Sequence, residues 1–231
     1  PVITVLLYWF VFEFGLHQKV NDLRTGIEVP FVLWLMGGLV PWFYFQEALN
    51  GGTGVLDEYS YLVKKVVFQI DALPVVKLIS ALFTHAFFVI FMLVVFVVMG
   101  FYPDLYVLQV VYYSFCMVMF TAGLIYATSA VTVFFRDMKE VVAILLQIGM
   151  WVTPIMWNFE SMQGIPKWAV VLLKLNPMYY IVSGYRDALI NKTAFWEHLG
   201  LTLWFWGITL FTLWAGTTVF KRLRVHFADV L

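Results

Sequence analysis

The sequence predicts an all-α integral membrane protein with six transmembrane helices and short re-entrant helices on the outer face. Of its 231 residues, 63% are hydrophobic and 12% are charged, whereas soluble domains have about 45–50% apolar and about 25% charged residues. The mean hydropathy is +0.89. A soluble fold of this size cannot bury so much apolar surface, because roughly a quarter of its surface stays in water. The net charge of zero gives no electrostatic basis for binding nucleic acid.

Six runs of the chain are apolar enough to cross about 30 Å of hydrocarbon, which takes roughly 20 helical residues. These runs are 1–16, 31–49, 78–102, 105–135, 141–159 and 199–220. The fourth run is longer than a perpendicular crossing needs, so we expect it to tilt or to break near Gly123. Pro41 interrupts the second run, and neighbouring helices can satisfy the backbone groups that it frees.

The basic residues of the loops favour cytoplasmic N- and C-termini. In that orientation, eight Lys and Arg residues lie in inner loops and six in outer loops. Three of the four residues after the sixth run are basic, namely Lys221, Arg222 and Arg224. The chain begins at Pro1 inside an apolar run, without an initiator Met and without the basic region of a signal peptide. We therefore expect further residues upstream.

The segment 160–198 is too polar and too short in its apolar pieces to form another crossing. Asn176 is a favoured N-cap and Pro177 fits the first turn of a helix, so a helix is predicted to begin there. An apolar stripe at helical spacing follows, opposite a polar side with Arg186 and Asp187. Short helices that enter the membrane and return are predicted, covered at that depth by protein or by a cavity.

The connection 50–77 is predicted to lie in the cytoplasm. Glycines at its start are expected to end the second helix, and Pro74 is expected to close it. Residues 61–68 between them form one or two amphipathic turns with adjacent bases, Lys64 and Lys65. Such a turn can lie on anionic lipid or dock into a groove on a partner.

Five motifs lie along the chain in a fixed order. They are WLMGGLVPW at 34–42; LVKK at 62–65 with Phe68 and Leu73-Pro74; FFRDM at 134–138; PIM at 154–156; and NPMYY at 176–180 with GYRD at 184–187. This pattern resembles the ABC-2 type permeases that export cell-surface polysaccharides. The segments NKT at 191–193 and FWEH at 195–198 are most similar to the teichoic-acid translocation permeases of Gram-positive bacteria. Family members often have Pro directly after the loop Phe, where this chain has Gln69.

The resemblance implies a homodimeric membrane half of an exporter in the bacterial cytoplasmic membrane. Two copies would form a lateral channel for a lipid-linked polymer, and two cytosolic nucleotide-binding ATPase subunits would bind the inner loops. ATP and Mg²⁺ would belong to those subunits, and this chain would hold no cofactor. The family's N-terminal interface helix would lie before Pro1. The expected cargo is undecaprenyl-diphosphate-linked wall teichoic acid, with lipid-linked O-antigen or capsular polysaccharide as the alternative.

The resemblance also assigns expected roles to individual residues. The ATPase would be contacted by Tyr61, Lys64, Lys65 and Phe68. The outer gate would be formed by Asn176, Pro177, Tyr180, Tyr185, Arg186 and Asp187. Aromatic faces can stack on sugar C–H surfaces, so the candidates for lining the substrate path are Tyr8, Trp9, Phe12 and Trp151. Trp and Tyr also concentrate at membrane interfaces, which is the simpler interpretation of these aromatic residues.

The sequence contains no residues arranged for catalysis. It has no G-x-x-x-x-G-K-[ST] phosphate-binding motif, no G-x-S-x-G motif, and no second ligand at metal spacing beside any His. A channel would need rings of charge or carbonyls, and a transferase would need paired acids near an inner loop; neither pattern is found.

Several polar or small residues in the predicted helices leave two interpretations open. Arg186 could bind phosphate groups of the polymer or bond carbonyls and carboxylates that hold its helix in place. Glu13 and His85 are ionisable residues in predicted spans, where such residues usually face the bundle interior. We expect an interfacial position for Glu13 and a packing role for His85. Gly123, with two alanines after it, gives the fourth run a small face for helix packing.

Overall fold

The structure is a computed structural model, and it describes residues 2–15, 20–21, 28–63, 69–158 and 164–227. The first half contains α1 (Val2–Trp9), a π-helical turn (Phe10–Gly15), β1 (Val20–Asn21), β2 (Glu28–Val29), α2 (Phe31–Thr53), α3 (Val55–Glu58), α4 (Ser60–Val63) and α5 (Ala72–Val98). The second half contains a 3-10 turn (Leu105–Leu108), α6 (Gln109–Phe134), α7 (Met138–Val152), α8 (Lys167–Leu175), α9 (Pro177–Arg186), a π-helical turn (Asp187–Asn191), a 3-10 turn (Phe195–His198), α10 (Leu199–Leu223) and a last 3-10 turn (Arg224–His226).

The regular secondary structure of the described residues is helical apart from one short antiparallel strand pair, in which Val20 lies opposite Val29. Three helical stretches of the described residues are long and apolar enough to cross a membrane: Ala72–Val98, Leu105–Phe134 and Phe195–His226. They correspond to the third, fourth and sixth predicted runs. Of the described residues in the fifth run, only those up to Val152 are helical, and the helix to which they belong, α7, has 15 residues and a length of about 22 Å. The number of six crossings therefore stays a prediction.

Several predicted boundaries were wrong. Helix α2 continues through Gly51 and Gly52 to Thr53. A Cβ at Gly52 would lie 2.6 Å from Ile125, so this glycine is needed for close packing and does not end the helix. Helix α5 begins at Ala72, so Pro74 lies in its first turn, where proline is tolerated, and does not close a loop. Helix α7 ends at Val152, before Pro154, which disfavours helical backbone at the residue preceding it.

Of the two alternatives for the fourth run, the break is absent and the tilt stays a prediction. Helix α6 is continuous through Gly123, and its irregular part is the 3-10 turn before Gln109. A Cβ at Gly123 would lie 2.7 Å from the backbone of α10 at Leu213. The glycine therefore allows α6 and α10 to approach closely, which is how small residues act in membrane helix pairs.

The chain divides into two compact units, each made of three separate segments of the sequence. Unit 1 comprises Pro1–Phe43, His85–Phe115 and Met150–Phe205, and unit 2 comprises Tyr44–Thr84, Cys116–Gly149 and Trp206–Leu231. In unit 1, α9 has eight of its ten residues buried. In unit 2, one apolar core joins α3, the start of α5, α6 and the end of α10; its buried members are Val55, Leu56, Leu73, Ala130, Val133, Phe220 and Phe227.

Candidate functional site

Helix α9 begins at the predicted residues. The Asn176 side chain caps the helix, because its Oδ1 accepts a hydrogen bond from the Met178 N–H at 3.0 Å, and Pro177 occupies the first turn. The Asn176 Nδ2 also donates to the Thr153 Oγ1 at 2.9 Å. One side chain thus starts α9 and joins it to the turn that follows α7.

Helix α9 is covered by protein on its polar face as well as on its apolar stripe. The helix is buried on nearly all sides, and Arg186, which was placed on a polar face, is only 7% exposed. A buried charge is tolerated only when its hydrogen-bonding groups are satisfied. The groups around the Arg186 guanidinium must therefore satisfy its hydrogen bonds.

Arg186 donates to three backbone carbonyls from two distant parts of unit 1. Its Nη1 donates to the Pro154 oxygen and its Nη2 to the Ile155 oxygen, each at 2.7 Å. Its Nε donates to the Trp34 oxygen at 3.2 Å, and its Cζ lies 3.3 Å from the centroid of the Trp34 ring. Arginine is suited to this role because its planar, permanently charged group forms several directed bonds and stacks on aromatic rings. We call this arrangement the Arg186 anchor.

Two glycines of α2 make room for the anchor. A Cβ at Gly38 would lie 2.8 Å from the Nη2 of Arg186 and 3.1 Å from Ile155, and a Cβ at Gly37 would lie 3.2 Å from the arginine Cγ. The WLMGG segment thus supplies a ring, a carbonyl and the space for the side chain of the later GYRD segment. This geometry matches the second interpretation of Arg186, in which it bonds carbonyls that hold its helix. Its part in a gate stays a prediction.

Asp187 stabilises the turn after α9. Its Oδ1 accepts from the Asn191 Nδ2 at 2.8 Å, and its Oδ2 lies 3.9 Å from the His198 Nε2. Lys192, in the left-handed backbone region at φ 52°, forms an ion pair with Asp104 at 2.9 Å. These contacts fix the path of the chain between α9 and α10.

Tyr185 brings together polar groups from three helices. Its hydroxyl lies 2.6 Å from the Ser114 Oγ and 2.9 Å from the His85 Nε2. His85 is 4% exposed, so it is a packing histidine in a buried polar group, as expected. Tyr180 has a similar role, since its hydroxyl lies 3.0 Å from the Thr202 Oγ1 and its ring stacks on Phe205 at 4.8 Å.

The four aromatic candidates for a substrate path are described only in part, and their role stays a prediction. Trp9 borders an apolar groove of about 240 Å³ that also involves Val5, Met36 and Phe91. Trp151 is 63% exposed, and its carbonyl accepts from the Trp157 Nε1 at 3.0 Å. Tyr8 is partly exposed. The side chain of Phe12, like that of Glu13, lies outside the described residues.

The predicted ATPase contact is described only in part. Tyr61 on α4 is 59% exposed, whereas Lys64, Lys65 and Phe68 lie outside the described residues.

The helical turn before Tyr61 is held firmly within unit 2. Asp57 pairs with Lys139 at 2.7 Å, and Glu58 pairs with Lys77 at 2.8 Å. Lys77 also lies over the ring of Tyr59 at 5.5 Å. The turn formed by α3 is therefore attached to the start of α7 and the first part of α5.

Sequence reasoning missed a polar surface on α2. Gln46, Glu47 and Asn50 are exposed, although the second predicted run was treated as lipid-spanning up to residue 49. The carboxylate of Glu47 inside that run is the signal that could have identified it, because charged residues in membrane spans are costly and usually functional.

The family of the chain follows from a match along most of its length. The model of the family described as ABC-2 type transporter matches residues 1–190. The chain belongs to this family.

Named relatives extend the similarity over almost the whole chain. The O-antigen export system permease protein RfbA of Myxococcus xanthus is 25% identical over 99% of this chain and 84% of its own length. RfbA of Klebsiella pneumoniae is 25% identical over 100% and 84%. The polysialic acid transport protein KpsM of Escherichia coli is 25% identical over 96% and 82%. Among the described residues, no group of three or more His, Cys, Asp or Glu could hold a metal ion.

Proposed function

We propose that this chain is the permease subunit of an ABC exporter that moves a lipid-linked polysaccharide of the O-antigen or capsular kind across the cytoplasmic membrane. The observation that carries the proposal is family membership over residues 1–190, joined to relatives that are named for O-antigen export and polysialic acid transport. Those names favour the alternative cargo over wall teichoic acid, for which the comparisons give no support.

The proposal includes a separate ATPase subunit. The given sequence has no phosphate-binding loop of the P-loop kind, and we propose that the energy comes from a partner subunit that binds and hydrolyses ATP with Mg²⁺. We place its contact at the connection 50–77, with Tyr61, Lys64, Lys65 and Phe68 as the contacting residues. Lys77 and Lys139 hold the neighbouring helical turn in position through their ion pairs, which gives the contact a rigid base.

The proposed assembly contains two copies of this chain, each with six crossings and both termini in the cytoplasm. Helix α9, with Asn176, Pro177, Tyr180, Tyr185, Arg186 and Asp187, forms the outer gate. The Arg186 anchor supports a gate that moves as a unit with its carbonyl partners, because separating them would leave a buried charge without hydrogen bonds.

Export in a deletion strain tests the cargo. Removing the gene from its host should abolish the surface polysaccharide and leave a lipid-linked chain inside the cell, and a plasmid copy should restore export. The matched control is the same plasmid copy beside an ATPase partner whose phosphate-binding lysine is replaced. Surface polysaccharide that persists in the deletion strain, or export with the disabled ATPase, would contradict the proposal.

Co-purification tests the partner independently of the cargo. The tagged chain should bring down an ATPase subunit from host membranes, and Phe68→Ala should weaken ATPase stimulation without lowering the amount of permease. Lys174→Ala, which alters a partly buried lysine on α8 in unit 1, is the matched control. A chain that purifies without any ATPase and still supports export would exclude this class of function.

A further inference from the structure

The exposed residues of α2 are all polar. Of the 23 residues in this helix, three are exposed, and these are Gln46, Glu47 and Asn50. Spacings of three and four place Asn50 on the same side of the helix as the other two. A helix that faces lipid would expose apolar side chains, so the open face of α2 does not fit a hydrocarbon environment.

Helix α5 continues this polar surface. Ser80 is exposed and Thr84 is partly buried, and their spacing of four places them on one face. The Thr84 Oγ1 donates to the Glu47 Oε1 at 3.3 Å, which joins the two helices at that point. We call Gln46, Glu47, Asn50, Ser80 and Thr84 the polar seam; all five residues belong to unit 2.

The seam reaches the middle of a membrane-length helix. Thr84 follows Ala72, the first residue of α5, by 12 residues and precedes the last, Val98, by 14. At 1.5 Å per residue, it lies about 18 Å from one end and about 21 Å from the other. Glu47 contacts α5 at that level, and a carboxylate at such depth is costly unless it meets water, protein or a polar ligand.

The rest of α5 exposes the surface that lipid requires. Its exposed side chains include Phe83 at 76%, Ile90 at 63% and Val94 at 53%. The polar seam is therefore a local departure from an otherwise apolar surface, and it follows the line where α5 meets α2.

We infer that the polar seam lines the hydrated path along which the saccharide part of the cargo passes. Amide, hydroxyl and carboxylate groups together offer donors and acceptors that match sugar hydroxyls. The only charge in the seam is that of Glu47, so the seam favours a hydroxyl-rich segment over the anionic diphosphate of a lipid carrier. This inference rests on the proposed function, and it assigns to that function a surface distinct from the aromatic candidates.

Thiol accessibility tests whether the seam is hydrated. Gln46→Cys and Asn50→Cys are compared with Ile90→Cys and Val94→Cys, each in the assembled complex in native membranes, with a charged methanethiosulfonate reagent. The parental chain gives the background, because its single cysteine, Cys116, is buried. Only a thiolate reacts, and a lipid-facing thiol stays protonated, so the seam positions should react at least about tenfold faster than the controls.

Two outcomes would overturn the inference. Equal rates at seam and control positions would place the seam in lipid. Rapid formation of a disulfide between two copies of the Gln46→Cys chain under mild oxidation would show that a second copy covers it.

Protection by saccharide tests the ligand. Soluble O-antigen polysaccharide should slow labelling at Gln46→Cys, and fast labelling that the polysaccharide does not slow would overturn the saccharide assignment.

The export readout separates this inference from the proposed function. Glu47→Leu should lower export about tenfold, because the loss of one hydrogen bond to a charged group weakens binding by about that factor. Ile90→Leu should export at the parental rate. Unlabelled seam positions, or normal export by Glu47→Leu, in a complex that exports polysaccharide would overturn the seam alone. A deletion strain that still displays its polysaccharide would overturn the proposed function, whatever the labelling rates are.

Discussion

Replacing Arg186 by Lys should destabilise the protein although the charge is kept. The guanidinium reaches three carbonyls at 3.2, 2.7 and 2.7 Å, and an ammonium group is a point charge on a thinner stem that cannot form the same fork. If one of the three bonds survives, two are lost. Hydrogen bonds to charged groups contribute about 1.5–3 kcal/mol each, so the loss is about 3 kcal/mol or more.

This loss corresponds to a measurable change in melting temperature. For a chain of 150–250 residues, about 1 kcal/mol shifts the midpoint by roughly 2–4 °C, so Arg186→Lys should melt about 6–12 °C lower. The assay is thermal unfolding of the purified protein in detergent, followed by tryptophan fluorescence. Arg222→Lys, at an exposed position near the end of α10, is the matched control and should change the midpoint little.

If Arg186→Lys melted within about 1 °C of the parent, the hydrogen bonds of the guanidinium would contribute far less than about 1.5–3 kcal/mol each to stability, which would refute the prediction. A second variant, Arg186→Met, removes the charge and all three bonds, and it should be at least as destabilised as the Lys variant. A Met variant more stable than the Lys variant would show that the desolvation cost of the charge exceeds the benefit of its bonds.

Three further substitutions test the packing around these sites. Gly38→Ala should lower stability by about 1–3 kcal/mol through overpacking against the guanidinium, whereas Gly200→Ala, with nothing within 4 Å of its Cβ, should not; equal melting temperatures would contradict this. Gly123→Ala should cost a similar amount, because its Cβ would meet backbone 2.7 Å away, and a stabilised variant would refute the close helix contact. Tyr185→Phe should cost about 1–3 kcal/mol by leaving buried partners such as His85 short of a hydrogen bond, with the midpoint again as the measurement and an unchanged midpoint as the opposing result.

The sequence predicts the helical class and the start of α9 well, because both depend on local signals. Composition shows that a lipid environment is needed, and Asn176 with Pro177 specifies a helix start through one capping bond and one fixed backbone angle. The glycines of α2 were misread for the opposite reason. Gly51 and Gly52 have the composition of a helix end, but the role of Gly52 is set by Ile125, more than 70 residues away.

The environment of Arg186 could not be predicted from the sequence for the same reason. Helical spacing places an arginine on a face, but it does not show what covers that face. The covering carbonyls belong to residues 34, 154 and 155, and backbone carbonyls leave no mark on residue identity. Glu47 is the reverse case. An acidic residue inside an apolar run is visible in the sequence, but only the fold shows that its side chain is exposed.

The Arg186 anchor also has a consequence for how the protein is made. Ribosomes synthesise the chain from the N-terminus, so the oxygens of Trp34, Pro154 and Ile155 exist before the arginine that bonds them has been translated. A nascent chain stopped short of α9 contains the acceptors without the donor, and the start of α2 and the turn after α7 then have nothing to join them through this contact. Such a chain is loosely packed and open to degradation by quality-control proteases of the bacterial membrane. The last fifth of the sequence, which supplies Arg186, therefore decides whether the whole chain persists.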